Sequence, residues 1–220
     1  MEKINGLLRI RISSIEVSDV TDRLIKKLRG SKKLCHHLHI PIQSGDDLIL
    51  KKMNRRYRNK DYLRLISKLK RFIPDIAITT DCLVGFPGET REQFMNTVEL
   101  VKKIVPLKAH IFPYSARKGT GAHGMNNFLP KKVIKERAEF LRKIAATCSI
   151  QYRRVFLKKK ASVIFEGPAK YLKNVWEGYS GNYIKIQLKS KKNLNNKALS
   201  VIITSLSNDA MIAKLPLDRG

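Results

Sequence analysis

The chain has 220 residues, of which 45 are lysine or arginine and 18 are aspartate or glutamate, for a formal net charge of +27. This length allows one large domain or two smaller ones with a substantial core. The excess positive charge is spread along the chain, which favours a polyanionic partner, and nucleic acid rather than a membrane surface. A general lysine bias of the genome is the alternative explanation.

Three cysteines, Cys35, Cys82 and Cys148, lie far apart in the sequence. No two have the close spacing of a zinc or iron–sulfur site, and three cannot all pair in disulfides. We therefore expect reduced, mostly buried thiols. The first residues carry no apolar segment typical of a signal peptide, and no run is long and apolar enough to span a bilayer. The sequence thus predicts a cytoplasmic protein without a membrane partner.

The first two thirds of the chain alternate short apolar runs with segments of helical periodicity. The apolar runs predict four strands, over residues 7–12, 38–43, 76–84 and 109–114. Apolar side chains at helical spacing predict three helices between them, over residues 20–30, 62–72 and 90–105. Ser18 or Asp19 can cap the first helix. Such alternation predicts βα units with parallel strands, in either a doubly wound sheet or a barrel.

The segment Ile76–Thr90 is a βα unit with a glycine-containing turn. Its apolar run predicts a buried strand, which breaks at Gly85 and Gly88, residues that permit turn dihedrals. Thr90, followed three residues later by Gln93, predicts a capping box. In a parallel sheet this turn would lie at the carboxyl edge of the strands, where α/β proteins bind ligands. An ordinary βα corner is the alternative interpretation.

The last third of the chain changes to a long helix and short strands. Pro130 suits the first turn of a helix that runs to about Arg154 and carries a basic face. Short alternating strands follow, over residues 161–166, 183–189, 199–204 and 210–213, with a loop at 178–182. Four or five short strands in about sixty residues predict a small antiparallel barrel of oligonucleotide-binding type.

Two tyrosines lie near alternating lysines in this predicted barrel. The residues are Tyr179, Tyr183, Lys185 and Lys189. Proteins bind single-stranded RNA with this combination, since bases stack on rings while cations hold phosphates. A basic barrel surface with two core tyrosines is the alternative. The sequence predicts two domains, residues 1–154 and 155–220.

Five motifs occur in order along the chain. They are Ser13–Glu16 (SSIE), His39–Gly45 (HIPIQSG), Met53–Arg55 (MNR), Thr79–Thr90 (TTDCLVGFPGET) and Phe112–Ser115 (FPYS). Together they resemble the radical S-adenosylmethionine (SAM) tRNA methylthiotransferases, and the last sixty residues resemble the terminal RNA-binding TRAM domain of that family. The SSIE segment is most similar to the subfamily that modifies threonylcarbamoyladenosine at position 37 of tRNA. The isopentenyladenosine enzymes and the ribosomal-protein enzymes differ there.

The resemblance implies an α/β fold in two parts. Residues 1–154 would form the carboxyl-terminal part of a (β/α)6 radical SAM barrel with parallel strands, and residues 155–220 a small antiparallel, OB-like TRAM barrel. SAM would lie across the strand ends, and tRNA would bind through its anticodon loop. Motif positions carry over candidate cofactor-binding roles to Ser14, Glu16, Gln43, Ser44, Gly85, Phe86, Pro87 and Gly88.

The chain departs from the family in its cysteines. The family binds a [4Fe–4S] cluster through a C-x3-C-x2-C run on the first barrel strand and a second cluster through a preceding domain, and this chain has neither set. Radical generation requires an electron from a thiolate-held cluster. We therefore expect a truncated, carboxyl-terminal portion without catalytic or metal-binding residues of its own, inactive alone, whose missing half a separate polypeptide could supply.

Three alternatives remain from the sequence. The chain could be a non-catalytic tRNA-binding fragment, or part of an enzyme acting on isopentenyladenosine-37. A weaker alternative is an unrelated phosphate-binding α/β enzyme fused to a nucleic-acid-binding barrel.

Overall fold

The computed structural model describes residues 2–116, 119 and 121–216, with the side chain of His123 excepted, and joins a parallel sheet to a closed barrel. Its helices are α1 (Asp22–Gly30), α2 (Asp47–Lys52), α3 (Asn59–Phe72), α4 (Arg91–Ile104) and α5 (Lys131–Arg154). Its strands are β1 (His37–His39), β2 (Ala77–Val84), β3 (Lys108–Pro113), β4 (Lys160–Pro168), β5 (Val175–Ser180), β6 (Lys185–Lys189), β7 (Ala198–Leu206) and β8 (Met211–Lys214). Across these described ranges, no helix combines the length and the apolar character needed to cross a bilayer.

Strand β2 is the centre of a three-stranded parallel sheet of order β1-β2-β3. Its alternate residues Ile78, Cys82 and Val84 belong to the main apolar core. Between them, the buried Thr80 hydroxyl donates to the carbonyl of Ile40 at 2.8 Å and accepts from the amide of Ile42 at 2.9 Å. The near-continuous burial of β2 is typical of a central parallel strand.

The strand predicted over residues 7–12 does not form. This segment makes one isolated parallel bridge, Ile10 to Leu34, and a second bridge, Ser14 to His39, lies just beyond its end. A strand needs a continuous ladder of such pairs, and within the described part of the chain no named strand pairs with this segment.

Two other local predictions need correction. Helix α1 begins at Asp22 with Thr21 as its cap, because Ser18 and Asp19 lie in a preceding 3₁₀ turn. Helix α2 was not predicted: the carboxylate of Asp46 accepts the amides of Leu48 and Ile49, both at 3.1 Å, and caps the start of this helix.

The helices of the glycine-turn unit and of the last third follow the prediction. Thr90 and Gln93 form the expected capping box, with the Thr90 amide 3.0 Å from the Gln93 side-chain oxygen and the Gln93 amide 3.2 Å from the Thr90 hydroxyl. Helix α5 starts directly after Pro130 and runs for 24 residues.

The barrel closes in the order β4-β5-β6-β8-β7. Its pairs are antiparallel except β6 and β8, which run parallel, so the barrel is mixed and not wholly antiparallel as predicted. The loop predicted at 178–182 is largely strand β5. A Cβ on Gly178 would lie 2.2 Å from the Ile164 carbonyl oxygen, so glycine here permits close approach of β4 and β5.

Polar contacts fix the barrel at the amino end of β2. The Tyr152 hydroxyl donates to the Asp75 carbonyl at 2.8 Å, and the Asn182 amide donates to the Tyr152 oxygen at 3.1 Å. The buried Arg153 donates to the carbonyls of the β7–β8 turn. The barrel and the glycine turn thus lie at opposite ends of β2, whose eight residues span roughly 25 Å at about 3.3 Å per residue.

We predict that Gly45→Ala lowers the free energy of unfolding by about 2 kcal/mol. Its Cβ would lie 2.5 Å from Thr97 Cα and 2.6 Å from the Asn96 carbonyl oxygen, so the backbone of α4 must move. Urea denaturation measures the change. Gly30→Ala is the control, because nothing lies within 4 Å of its Cβ, and its stability should stay within about 1 kcal/mol of the parent. Equal losses in both variants would contradict the packing argument.

Candidate functional site

The turn after β2 combines two left-handed glycines with two buried side chains. Gly85 and Gly88 have φ angles of +79° and +74°, and Phe86 and Pro87 between them are buried. A Cβ on Gly85 would lie 2.5 Å from the Ile134 side chain, so helix α5 packs directly on this glycine. A Cβ on Gly88 would meet only ordinary contacts, the nearest being Lys52 Nζ at 3.4 Å. Gly88 is therefore needed for its backbone conformation rather than for protein packing.

The side chain of Glu89 connects this turn to helix α5. Its buried carboxylate accepts the Gly85 amide at 3.0 Å and forms an ion pair with Arg137 of α5, which also donates to the Glu89 carbonyl at 3.0 Å. Burial raises the pKa of Glu89, although both donors favour the charged form. Sequence reasoning assigned no role to this pair, because Arg137 lies 48 residues away.

Gln43 and Ser44 lie in the connection between β1 and α2, and Gln43 forms a bridge with Cys82 near the carboxyl end of β2. Gln43 has a left-handed backbone (φ 62°), and its carbonyl accepts the Leu83 amide at 2.8 Å. The Ser44 side chain is buried, and its hydroxyl accepts the Asp46 amide at 3.2 Å. Gln43 is thus placed beside the turn, whereas the Ser44 hydroxyl already has a protein partner.

Ser14 and Glu16 are exposed on the segment beside β1. The bridge between Ser14 and His39 sets Ser14 level with Thr79, six residues before Gly85 and roughly 20 Å from it along β2. The Glu16 carboxylate pairs with Arg55 at 2.8 Å. The structure therefore places Gln43 near the glycine turn, whereas Ser14 lies nearer the amino end of β2.

One face of the sheet carries polar groups that the sequence did not single out. The His39 ring contacts the Thr79 hydroxyl at 3.0 Å and the Asp81 carboxylate at 3.2 Å, and His37 contacts the same hydroxyl at 2.9 Å. Burial and the nearby Arg11 lower the pKa of His37 to about 3, so its ring is neutral. In the described part of the chain, no group of three His, Cys, Asp or Glu side chains could hold a metal ion.

The three cysteines are buried at separate places in the fold. Cys82 lies in the core on β2, and burial raises its pKa to about 12. Cys148 lies on α5, where burial also raises its pKa, and Cys35 precedes β1. Iron–sulfur clusters need a set of neighbouring thiolates. The described residues therefore do not fit an iron–sulfur cluster.

The predicted RNA-binding tyrosines stack on each other. The rings of Tyr179 and Tyr183 lie 5.0 Å apart at 23°, and the Arg11 guanidinium lies 4.2 Å from the Tyr183 ring centre. The Lys185 ammonium pairs with Glu177 at 3.0 Å and Asp209 at 3.2 Å. Lys189 is exposed at the end of β6. Of the four residues, Tyr179, Tyr183 and Lys185 thus already have protein partners.

We predict that Arg137→Met lowers the free energy of unfolding by about 3 kcal/mol at pH 8, because it leaves the buried Glu89 carboxylate unpaired. When folding raises the pKa of a carboxyl group, the free energy of unfolding decreases as the pH rises through that pKa. The loss should therefore be smaller at pH 5 than at pH 8, because the raised pKa favours the neutral form of Glu89 as the pH falls. Denaturant titration at both pH values tests this. Lys135→Met, on the exposed side of α5, should change little at either pH, and a pH-independent loss in Arg137→Met would contradict the prediction.

Comparison with known proteins finds similar sequences over nearly the whole chain. Residues 1–101 match the model of the radical SAM superfamily. Threonylcarbamoyladenosine tRNA methylthiotransferase MtaB of Thermotoga maritima is 40% identical over 213 residues, covering 97% of this chain and 48% of the relative. tRNA-2-methylthio-N(6)-dimethylallyladenosine synthase of Caldicellulosiruptor saccharolyticus is 40% identical over 210 residues, covering 94% of this chain and 44% of the relative.

Two solved structures are similar to a lesser degree. Coproporphyrinogen III oxidase (HemN) of Escherichia coli has 15% identity and a TM-score of 0.46, covering 67% of this chain and 32% of that one. Elp3 of Methanocaldococcus infernus has 13% identity and a TM-score of 0.45, covering 94% and 61%. Scores this low carry no weight for the fold. The sequence relatives are the informative comparison: 94–97% of this chain is similar to tRNA methylthiotransferases, and the chain spans about half the length of the curated relatives it matches.

Proposed function

We propose that this chain is the part of a tRNA methylthiotransferase that binds SAM and contacts the tRNA. The observation that carries the proposal is the similarity of 94–97% of the chain to proteins named for this reaction. The glycine turn at the carboxyl end of β2 supports it, because ligands of parallel α/β sheets bind at that edge.

We assign the substrate of the complete enzyme to threonylcarbamoyladenosine-37, with a methylthio group added at C2. Identity alone does not separate the choices, since a relative named for threonylcarbamoyladenosine and one named for dimethylallyladenosine are both 40% identical. The Ser13–Glu16 segment favours the first. An enzyme acting on isopentenyladenosine-37 is the alternative.

The residues around the turn fit the nucleoside part of SAM. Gly88 adopts a conformation that L-residues avoid, and the space beside it is not filled by closely packed protein atoms. The backbone of Gly85–Gly88 would approach the adenine, while Gln43 lies beside the turn to hydrogen-bond the ribose or methionine. Glu16, oriented by Arg55, would face the more distant polar groups of the cofactor. SAM supplies the methyl group and, in the family, the radical.

The family's iron–sulfur clusters do not fit this chain, because its three thiols are buried and separated. We therefore propose that the polypeptide does not cleave SAM alone and that the thiolates come from outside these 220 residues, whether from a separate polypeptide or from a longer form of the protein.

The closed five-stranded barrel supports assignment as a TRAM domain of oligonucleotide-binding type. Its contact with RNA rests on the exposed cations and on the net charge of +27. The anticodon loop is the proposed target, because single-stranded loops expose their bases for stacking. A non-catalytic RNA-binding fragment is the second candidate, favoured by the missing cysteine set, and it differs from the first in not binding SAM.

We predict that Gly88→Ala weakens SAM binding at least tenfold, measured by isothermal titration calorimetry on the full chain. A left-handed backbone costs an alanine about 1–2 kcal/mol, and the turn should relax away from the cofactor. Gly6→Ala is the matched control, since Gly6 also has a left-handed φ (+78°) with nothing within 4 Å of its Cβ. It should bind SAM like the parent. Absence of SAM binding by the parent, with tRNA binding retained, would support the RNA-binding fragment instead.

We expect anaerobic reconstitution with iron and sulfide to leave less than one [4Fe–4S] cluster per chain, because no neighbouring thiolates exist to hold it. Iron and sulfide analysis, with chromatographic detection of 5′-deoxyadenosine after addition of SAM and dithionite, provides the measurement. A stoichiometric cluster, or unaided turnover of SAM, would overturn the proposed inactivity of the chain alone.

A further inference from the structure

A cavity of about 420 Å³ lies where the sheet, α5 and the barrel meet. Lys108 of β3, Arg142 of α5, and Tyr179 and Lys185 of the barrel are among its lining residues. The cavity is thus built by both parts of the chain, at the amino end of the sheet. Its size is within the range of small-ligand sites.

The cations on the sheet and helix side of this cavity are free to meet an anion. Lys108 and Arg142 are exposed, and neither forms an ion pair within the described part of the chain. The guanidinium of Arg142 makes one long hydrogen bond, to the Ile111 carbonyl at 3.3 Å. Lys185 differs, because Glu177 and Asp209 already offset its charge. The uncompensated positive charge therefore lies opposite the barrel.

The barrel side supplies a fixed aromatic ring. Tyr179 lines the cavity and is half-buried, and Tyr183 covers one of its faces. The guanidinium of Arg9 donates to the carbonyls of Tyr179 and Ser162, both at 2.6 Å, and so holds β5 and β4 in place. A ring held in this way loses little entropy when a ligand stacks on it.

We propose that this cavity binds one unpaired nucleotide of an RNA strand, with its base against Tyr179 and its phosphate near Lys108 and Arg142. The inference rests on the proposed function, which supplies the RNA, and goes beyond it by placing a nucleotide site between the two parts of the chain. An aromatic ring with nearby cations is the arrangement that binds single-stranded nucleic acid without sequence preference. A duplex cannot present an unstacked base to such a site.

The test measures binding of a fluorescein-labelled anticodon stem-loop RNA to the full chain by fluorescence anisotropy. Tyr179→Leu and Arg142→Ala should each weaken binding about tenfold. Arg142→Ala should also reduce the slope of log affinity against log salt concentration by about one, for one lost phosphate contact. The controls are Tyr171→Leu, a tyrosine that is 92% exposed, and Lys143→Ala, the neighbour of Arg142 on α5. Both controls should bind like the parent.

The outcomes separate the cavity from the proposed function. If the parent binds the stem-loop and the two cavity variants bind equally well, the nucleotide site is wrong while RNA binding stands. If the parent does not bind the stem-loop at 50 mM salt (about a 14 Å Debye length), RNA contact by this chain is wrong as well. The affinity for a blunt duplex of equal length should not change in Tyr179→Leu. An equal loss of affinity for the duplex would contradict stacking of an unpaired base on Tyr179. Circular dichroism spectra confirm that each variant is folded.

Discussion

Strand β2 is hydrogen bonded to a parallel neighbour on each side, and this constraint positions both parts of the molecule. At its carboxyl end, Gly85 donates its amide to the Glu89 carboxylate and packs against α5. Just before its amino end, the Asp75 carbonyl accepts the Tyr152 hydroxyl that secures the barrel. A central strand cannot shift its register without exposing core side chains. The separation between the turn and the barrel is therefore fixed by the strand itself.

The local signals in the sequence were sufficient where neighbouring residues decide the structure. Residues close together in the sequence determine three correctly predicted features: the capping box at Thr90, the buried run of β2 and the start of α5 after Pro130. The family motifs also placed Gly85 and Gly88 at the end of a strand.

Predictions failed where a distant partner decides. The segment 7–12 alternates apolar and basic residues as a strand would, yet among the described residues it makes one isolated bridge, from Ile10 to Leu34. Gly178 suggested a loop, although it serves close packing of β4 on β5. The parallel pair β6–β8 and the ion pair between Glu89 and Arg137 join residues far apart in sequence, so no local pattern indicates them. No helix was predicted over Asp47–Lys52, although Asp46 caps α2.

The two β structures differ in how they end. The barrel closes on itself, so all five of its strands have two neighbours, whereas the sheet stops at β1 and β3. Open strand edges can pair with another chain, and closed barrels have none. The bridge between Ser14 and His39 covers the β1 edge only in part, and on the other side Pro113, which lacks an amide proton, ends β3. In a concentrated sample, self-association by strand addition would therefore begin at the edges of the sheet. The closed barrel would not take part in it.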